Sequence, residues 1–453
     1  VNATTEEDLY YGLTLLSNAR RDSHLYLTPV PDGLKGPSLP EVHAPIQVLP
    51  DYSDMHAPSF FVSGLDQKHL DASELPGADR VAIGDLIVSV NGLSIPDFVE
   101  TFRAWTRHSA PQGLYWRLAR DIPIRAPATA PWMYREALDL ELEDAQGQRY
   151  SATLPYLEPN TVSIELGEEE LYPGFSVVME RFNFNVLRPD DGRRVVLLQW
   201  LDFEYELIQD VMDLIAYSEA QDLLDHTLVI DVTASSGGSR GAYAIQRLVD
   251  RPFRTTFGNL RISDAAIEMI EEWAVEPDRD VPEIFGLNES RSWLHAWAQT
   301  SAKQDVEAGL AYTRATPFKL AHLPHTSEDG ILTPAPVHYT GPVAIIGGPN
   351  GGSHLDQFVS MFADNGLAFT IGMPTGGYSN TWEAEETLYF PGTTQPVVQF
   401  MWNVGHTLRP NGEILEGNAV QPEVYVPLTR ENFRTYHRDL LEAALDRLSR
   451  PVS

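Results

Sequence analysis

Three short runs of apolar residues, each followed by a segment of helical character, constrain the fold of this chain most strongly. They are residues 195–201 (VVLLQWL), 228–232 (LVIDV) and 343–347 (VAIIG), and residues 203–224, 241–249 and 354–365 follow them with helical patterns. Continuous apolar runs of this length are typical of strands buried on both faces. Strands that alternate with helices predict an α/β fold with a parallel sheet, which residues 368–371 extend.

The rest of the chain predicts a second, β-rich module. Residues 4–20 predict a helix, and residues 81–91 a strand, a turn and a strand, with Asn91-Gly92 as a tight-turn signal. Further expected elements are a helix at 96–107, strands at 113–120 and 148–156, a helical insertion with a loop at about 257–340, and a helix at 431–447. We therefore expect an N-terminal segment at 1–27, a β-rich domain at 28–158 and an α/β core at 159–453.

Charge and composition exclude several functions. The chain has 32 Lys and Arg against 64 Asp and Glu, a net charge of −32, so nucleic acid and anionic membrane are not expected partners. It has no cysteine, which excludes disulfides, thiolate catalysis and Cys-ligated metal sites. No apolar run approaches the roughly 18 residues of a membrane span. The acidity and the missing initiator Met, since the chain begins with Val, favour a secreted or periplasmic protein.

Two glycine-rich turns follow buried strands and carry candidate chemistry. In Asn350-Gly351-Gly352-Ser353-His354, the serine stands on a strand-to-helix turn, which lifts a hydroxyl towards substrate and suits an acyl-transfer nucleophile. The alternative is that Ser353 only caps the following helix. The second turn, Ser235-Ser236-Gly237-Gly238-Ser239, follows LVIDV and could hold an oxyanion on its N–H groups; the alternative is an ordinary turn.

Taken in order, four segments resemble the carboxy-terminal-processing and tricorn-core serine peptidases. They are VIDV…SSGGS, GPVAIIGGPNGGSHLDQF, IGMPTGGYS and ILEGNAVQPEVYVPLT. The layout is most similar to that of the chlamydial protease-like activity factor, and the stretch IGDLIVSVNG resembles PDZ-like domains. The resemblance implies an α/β crotonase-like core with an inserted PDZ-like domain that takes peptide or is purely structural, and a homodimer is one expected state.

The resemblance also implies site residues. Ser353 corresponds to the nucleophile, and Gly237, Gly238 and the amide of His354 to the oxyanion hole. The processing proteases activate the serine with a lysine, but Tyr378 occupies that position and no lysine follows Ser353. The tricorn branch uses His and Glu, for which His24 in Asp22-Ser23-His24 and Glu416 are the matches, with Glu413 as the fallback.

A base is required on physical grounds, because a serine hydroxyl is a poor nucleophile near neutral pH and imidazole, with an ordinary pKa of about 6.5, is the natural proton acceptor. A carboxylate then orients the imidazole. His406 and His354 compete with His24 for the role of base, although the side chain of His354 should point elsewhere.

The sequence therefore predicts a serine endopeptidase that hydrolyses polypeptides without a cofactor or a metal. Residues His322, His325 and His338 could bind zinc in principle, but their Pro-rich surroundings favour a loop. Two alternatives remain open: a non-catalytic protein that binds a hydrophobic ligand or a peptide on the same fold, and a serine hydrolase of non-peptide esters.

Overall fold

The computed structural model describes residues 3–34, 36, 39–126, 129, 133–167, 170–204, 206–275, 294–317, 329–380 and 382–449. These residues form two compact units. The first comprises residues 1–171, 385–401 and 427–439, and the second comprises residues 172–384, 402–426 and 440–453.

The second unit is built on a sheet that has seven strands among the described residues. In spatial order they are Phe175–Glu180, Phe184–Pro189, Val195–Trp200, Thr227–Asp231, Val343–Gly347, Phe369–Gly372 and Val424–Tyr425. The first two pairings are antiparallel and the other four are parallel. Helices Leu207–Ala220, Gly241–Leu248 and His354–Asp364 lie in the connections between parallel strands, as βαβ units require.

A cluster of aromatic side chains fastens the helix that begins at His354 to this sheet. The Phe358 ring lies 5.0 Å from the Trp200 ring and 5.1 Å from the Phe203 ring, measured between centroids. All three side chains are completely buried. Burial of this much aromatic surface holds the start of the helix in one place relative to the strands.

The remaining described elements of the second unit are short. Two small sheets pair Phe253–Arg254 with Ile331–Leu332, and Phe257–Leu260 with both Thr316–Pro317 and Gly405–Leu408. Helices Asp264–Val275 and Lys303–Glu307 and the π-helical turn Ala298–Ala302 lie between them. The expected insertion at 257–340 therefore contains helices, as predicted, but also short strands. Residues 276–293 and 318–328, with His322 and His325, lie outside the described residues.

The first unit carries a second sheet, which also has seven strands among the described residues: Ile46–Asp51, Ser59–Leu65, Leu86–Val90, Leu93–Ser94, Ala137–Glu143, Arg149–Pro155 and Glu165–Leu166. The strand Leu27–Thr28 pairs with Pro396–Asn403, which pairs with Glu383–Tyr389, and Val42–His43 pairs with Ile124–Arg125. Its described helices are Glu6–Asn18, Gln67–Asp71, Ile95–Arg103 and Pro111–Asp121, with described 3₁₀ turns at Ala78–Arg80 and Pro159–Thr161.

Most predicted elements are present, but two predicted strands are absent. Asn91 and Gly92 have φ values of 51° and 82°, and Val90 pairs with Leu93, so the predicted tight hairpin turn is confirmed. The first of the two strands predicted within residues 81–91 is absent, since residues 81–85 form no strand. Residues 113–120, predicted as a strand, lie in the helix Pro111–Asp121. The last helix runs from Tyr436 to Ser449.

Across the described part of the chain, no helix has both the length and the apolar character needed to cross a membrane.

Candidate active site

The two predicted turns meet in the second unit because the strands before them are neighbours. Thr227–Asp231 and Val343–Gly347 run parallel, with Asp231 opposite Ile346. Their carboxyl ends therefore lie at the same edge of the sheet, which is where α/β proteins place ligands. The turn at 232–240 and the turn at 348–353 both start from this edge.

Ser353 adopts a backbone conformation that side chains rarely occupy. Its φ is 62° and its ψ is −126°, and although it stands at the N-cap position of the helix His354–Asp364, its side chain makes no capping hydrogen bond. Its N–H donates to the carbonyl oxygen of Tyr378. A conformation of this kind costs about 1–3 kcal/mol and is characteristic of functional sites. The half-buried hydroxyl of Ser353 is thus presented by a strained turn and is not used for capping.

Gly237 lies directly against the Ser353 side chain. A Cβ at position 237 would lie 2.5 Å from the Ser353 Cβ and 3.0 Å from its Oγ, so only glycine permits this approach. Gly352, immediately before the serine, packs in the same way against the ring of Tyr378. The two turns therefore touch at the serine itself.

The turn that contains Gly237 is held by hydrogen bonds on both sides of its glycines. Ser236 donates its N–H to the Leu201 carbonyl oxygen at 3.2 Å, Ser239 donates its N–H to that of Phe203 at 2.9 Å, and the Ser236 hydroxyl donates to Asp202. Within the described part of the chain, no acceptor takes the N–H groups of Gly237 and Gly238. Gly237 lies beside the Ser353 hydroxyl and Gly238 follows it against Phe203, so the turn offers N–H groups suited to bind an oxyanion at the serine.

His354 turns its side chain away from the serine hydroxyl. Its Nε2 accepts a hydrogen bond from the Gly241 N–H at 2.7 Å, and its buried ring meets that of Phe203 edge to face. Its backbone N–H begins the helix, and the N–H groups of a first helical turn point towards the N-terminal end. The imidazole therefore fastens the start of the helix Gly241–Leu248, and the amide remains the candidate oxyanion donor.

Asp356, to which the sequence alone assigned no role, organises a third segment of the site, the loop at residues 375–378. It accepts hydrogen bonds from the Thr375 hydroxyl, from the Gly377 N–H at 3.2 Å and from the Tyr378 N–H at 2.9 Å. The carboxyl group is buried, and burial raises its pKa to about 7 against the opposing effect of these hydrogen bonds. Asp356 thus holds the loop 375–378, whose Tyr378 carbonyl receives the Ser353 N–H.

The spacing Ser353-x-x-Asp356 was a signal for this residue, but the signal points to a different structure. Ser followed three residues later by an acidic residue is typical of a capping box, in which the acidic side chain accepts the N–H of the capping residue. Here Ser353 donates its N–H to the Tyr378 carbonyl oxygen. The Asp356 carboxylate instead accepts hydrogen bonds from a loop that starts nineteen residues later in the chain. The sequence pattern cannot distinguish the two uses.

Glu416 lies beside the same loop. Its Oε2 accepts the Ser379 N–H at 2.9 Å, and the next residue, Gly417, donates its N–H to the Gly377 carbonyl oxygen at 2.7 Å. Glu413 is engaged elsewhere: its exposed carboxylate accepts from the side-chain amides of Asn411 and Asn418. Of the two candidate carboxylates, the structure therefore brings Glu416 to the loop that contacts Ser353.

The candidate base His24 belongs to the first unit. It lies in a turn after the helix Glu6–Asn18, and its N–H donates to the buried carboxylate of Asp22 at 2.9 Å. The neighbouring Ser23 donates its N–H to the Ser109 hydroxyl at 3.0 Å. These bonds hold the Asp22-Ser23-His24 segment in a defined conformation, and the meeting of His24 with Ser353 stays a prediction.

The competing base His406 is committed to other partners in the second unit. Its Nδ1 lies 3.1 Å from the Asn259 Oδ1, and its ring stacks on Tyr312 with centroids 5.2 Å apart. Burial lowers the pKa of His406.

Among the described residues, no group of acidic and histidine side chains could hold a metal ion, and His338 contacts the Ala335 carbonyl oxygen instead.

Comparison with known proteins identifies the fold. No protein-family model matches the sequence, and no curated protein matches it. Among solved structures, mature CPAF, the chlamydial protease-like activity factor, has a TM-score of 0.71 at 15% identity and covers 98% of this chain and 88% of its own. Mature CPAF complexed with lactacystin gives 0.68 at 14% identity, with 97% and 88% covered, and a CPAF mutant gives 0.69 at 14%, with 100% and 90% covered. The chain therefore has a fold like that of CPAF, as its motifs predicted.

Proposed function

We propose that this protein is a serine endopeptidase whose nucleophile is Ser353. The observation that carries the proposal is the placement of the Ser353 hydroxyl on a strained strand-to-helix turn and against Gly237, whose N–H, like that of the following Gly238, no described acceptor takes. A nucleophile beside preorganised N–H donors is what acyl transfer requires. The likeness to CPAF supports a peptidase.

In the proposed mechanism, His24 removes the proton from the Ser353 hydroxyl as its oxygen attacks the carbonyl carbon of the scissile peptide bond. The N–H groups of Gly237, Gly238 and His354 bind the resulting oxyanion. The imidazolium of His24 then gives its proton to the leaving amine, the C–N bond breaks, and an acyl-enzyme remains. Water then attacks this ester while His24 takes its proton. The bond between the acyl carbon and the Ser353 oxygen breaks, and His24 returns the proton to that oxygen as the acid leaves.

We assign Glu416 as the carboxylate that orients His24. Its contact with Ser379 and the contact of Gly417 with Gly377 tie it to the loop that also receives the Ser353 N–H. Glu413 is bound to Asn411 and Asn418 and so is the weaker candidate. A carboxylate in this role fixes the imidazole tautomer and stabilises the imidazolium formed during attack.

We further propose that the α/β sheet of the second unit is the crotonase-like core and that the seven-stranded sheet of the first unit is a PDZ-like module. The hairpin turn at Asn91-Gly92, inside the stretch that resembles PDZ-like domains, supports the second assignment.

Labelling with a fluorophosphonate probe tests the nucleophile. The wild-type protein should be labelled on Ser353, and Ser353→Ala should abolish both labelling and peptide hydrolysis. Ser360→Ala is the matched control, because Ser360 lies in the same helix and its hydroxyl bonds only the Gln357 carbonyl oxygen among the described partners. If the wild-type protein is not labelled but binds apolar ligands, it is a binding protein and not an enzyme. If it is labelled and hydrolyses esters but not peptides, it is an esterase.

Substitution of the histidines tests the base. His24→Ala should lower the rate of Ser353 labelling at neutral pH by orders of magnitude, whereas His56→Ala, at an exposed histidine of the same unit, should not change it. Equal labelling rates in the two variants would remove His24 from the mechanism.

A further inference from the structure

A cavity in the first unit has no role in the mechanism proposed above. Its volume is about 350 Å³, and it lies between the helix Glu6–Asn18, the segment at Tyr26 and the helix Pro111–Asp121. Tyr10, Tyr26 and Trp105 contribute aromatic surface, and Thr14, Ser17 and Thr106 contribute hydroxyl groups. A cavity of this size that mixes aromatic and polar groups is suited to bind a short peptide segment.

The cavity is basic, in contrast to the chain as a whole. Among the described lining residues, three arginines (Arg107, Arg117 and Arg120) stand against the carboxylate of Asp121, a charge of +2 in a chain of net charge −32. Arg107 also lies 5.4 Å from the centre of the Tyr26 ring, so the guanidinium group and the ring are presented together. Guanidinium groups pair with carboxylates in a planar, two-pronged geometry and stack on aromatic rings.

Two more arginines, Arg21 and Arg103, lie near His108, the residue after Arg107, and Arg103 is 3.8 Å from the Glu100 carboxylate. Burial lowers the pKa of His108, and the charges of Arg103, Arg21 and Arg117 lower it further. The charge field of such an acidic chain repels anions over most of its surface. A local cluster of arginines is therefore a place where an anionic group can bind selectively.

We propose that this cavity binds an acidic segment of a polypeptide substrate, so that carboxylates placed at a distance from the scissile bond contribute to recognition. The position supports this, because Asn18 and Tyr26 line the cavity and flank Asp22-Ser23-His24 in the chain. The substrate assignment rests on the proposed peptidase function, but the binding itself does not.

Binding is tested on the full-length Ser353→Ala protein, which does not need to turn over. The probes are a fluorescein-labelled peptide with four consecutive Glu residues and the same peptide with four Gln residues, compared by fluorescence anisotropy. At low ionic strength the Glu peptide should bind about five- to tenfold more tightly, as expected for a few partly exposed charge pairs, and salt near 0.5 M should remove the difference.

Variants locate the site. Arg107→Gln/Arg117→Gln should abolish the preference for the Glu peptide, and Arg120→Gln, at a side chain that is 67% exposed, should reduce it without disturbing packing. Arg194→Gln is the control, since Arg194 is an exposed arginine of the second unit paired with Asp225. Equal binding of the two peptides, or a preference that survives both Arg107→Gln/Arg117→Gln and Arg120→Gln, would overturn the proposal.

Hydrolysis by the wild-type protein then distinguishes a failure of the acidic-segment proposal from a failure of the peptidase proposal. With a cleavable peptide carrying the same Glu or Gln tail, the Glu tail should lower KM several-fold and leave kcat nearly unchanged. Selective binding without any hydrolysis would refute the peptidase and leave the acidic-segment site standing. Hydrolysis with the same KM for both tails would refute recognition by this cavity and leave the peptidase standing.

Discussion

Substitution of Gly237 by Ala tests the proposed oxyanion site with a change of a single methyl group. The φ of Gly237 lies outside the left-handed region, so alanine can adopt the same backbone conformation. The obstacle is contact: the new Cβ would lie 2.5 Å from the Ser353 Cβ, 2.9 Å from the Gly352 carbonyl oxygen and 3.0 Å from the Ser353 Oγ.

The size of the effect follows from these distances. Carbon atoms in contact prefer about 3.5–4.0 Å, so the two turns must separate by about 1 Å. A misplacement of about 1 Å can cost about 100-fold in rate, and loss of one oxyanion donor costs about 10²–10³-fold in kcat. We therefore expect kcat/KM of Gly237→Ala to fall by about 10²–10³-fold, which corresponds to about 3–4 kcal/mol of transition-state stabilisation.

The assay is peptide hydrolysis together with the rate of fluorophosphonate labelling at Ser353. Gly12→Ala is the matched control, because a Cβ at Gly12, in the helix Glu6–Asn18, would meet no atom within 4 Å. The control should keep full activity and gain stability, since alanine favours a helix over glycine by about 1 kcal/mol. A folded Gly237→Ala protein that keeps activity within a few-fold of wild type would refute the assignment of this turn as the oxyanion site.

Three further substitutions test the energetics of the second unit. Ser353→Gly should be more stable than Ser353→Ala by about 1 kcal/mol in thermal denaturation, because glycine relieves a strain of about 1–3 kcal/mol at φ 62°; a less stable glycine variant would contradict the strain. Burial raises the Asp356 pKa from 3.8 to about 7, so between these pH values the folded chain keeps a proton that the unfolded chain releases. The contribution of Asp356 to the free energy of unfolding is therefore lost as pH rises from about 4 to 7. Relative to Asp356→Asn, wild type should lose up to about 4 kcal/mol of unfolding free energy over that window in urea titrations, and parallel pH curves would refute the shift. Asp364→Ala should cost about 3–5 kcal/mol in urea denaturation, because it removes the carboxylate that lies 2.5 Å and 3.0 Å from two nitrogens of buried Arg409 and leaves the exposed Glu413 carboxylate, 3.7 Å from the third, as its described acidic partner. A cost below about 1 kcal/mol would show the pair to be dispensable.

The misassigned segment 113–120 shows where sequence patterns fail. GLYWRLAR alternates aromatic and aliphatic with other residues, which is typical of a strand. In the structure Leu114, Tyr115, Leu118 and Ala119 form the buried face of a helix that starts with Pro111 at its first position. An eight-residue pattern is compatible with the periodicity of a strand and with that of a helix. The helix forms because it buries these apolar side chains in the tertiary structure.

The local chemistry of the site was readable from the sequence. A buried strand, a glycine-rich turn and a helix follow each other within about fifteen residues, and parallel strands carry such turns to one edge of a sheet. Ser353 and Gly237 could be proposed on that ground, because each depends on its own neighbours and on a simple rule of topology.

What tertiary structure decided are contacts between segments far apart in the chain. Asp356 holds the loop at Thr375–Tyr378, Glu416 receives the Ser379 N–H, and His354 accepts the N–H of Gly241, which lies 113 residues away. No periodicity or spacing encodes these pairings, because a buried carboxylate or imidazole binds whichever donor the packed core brings within about 3 Å. The sequence therefore determined which groups could react, and the packing of the core determined how they are held.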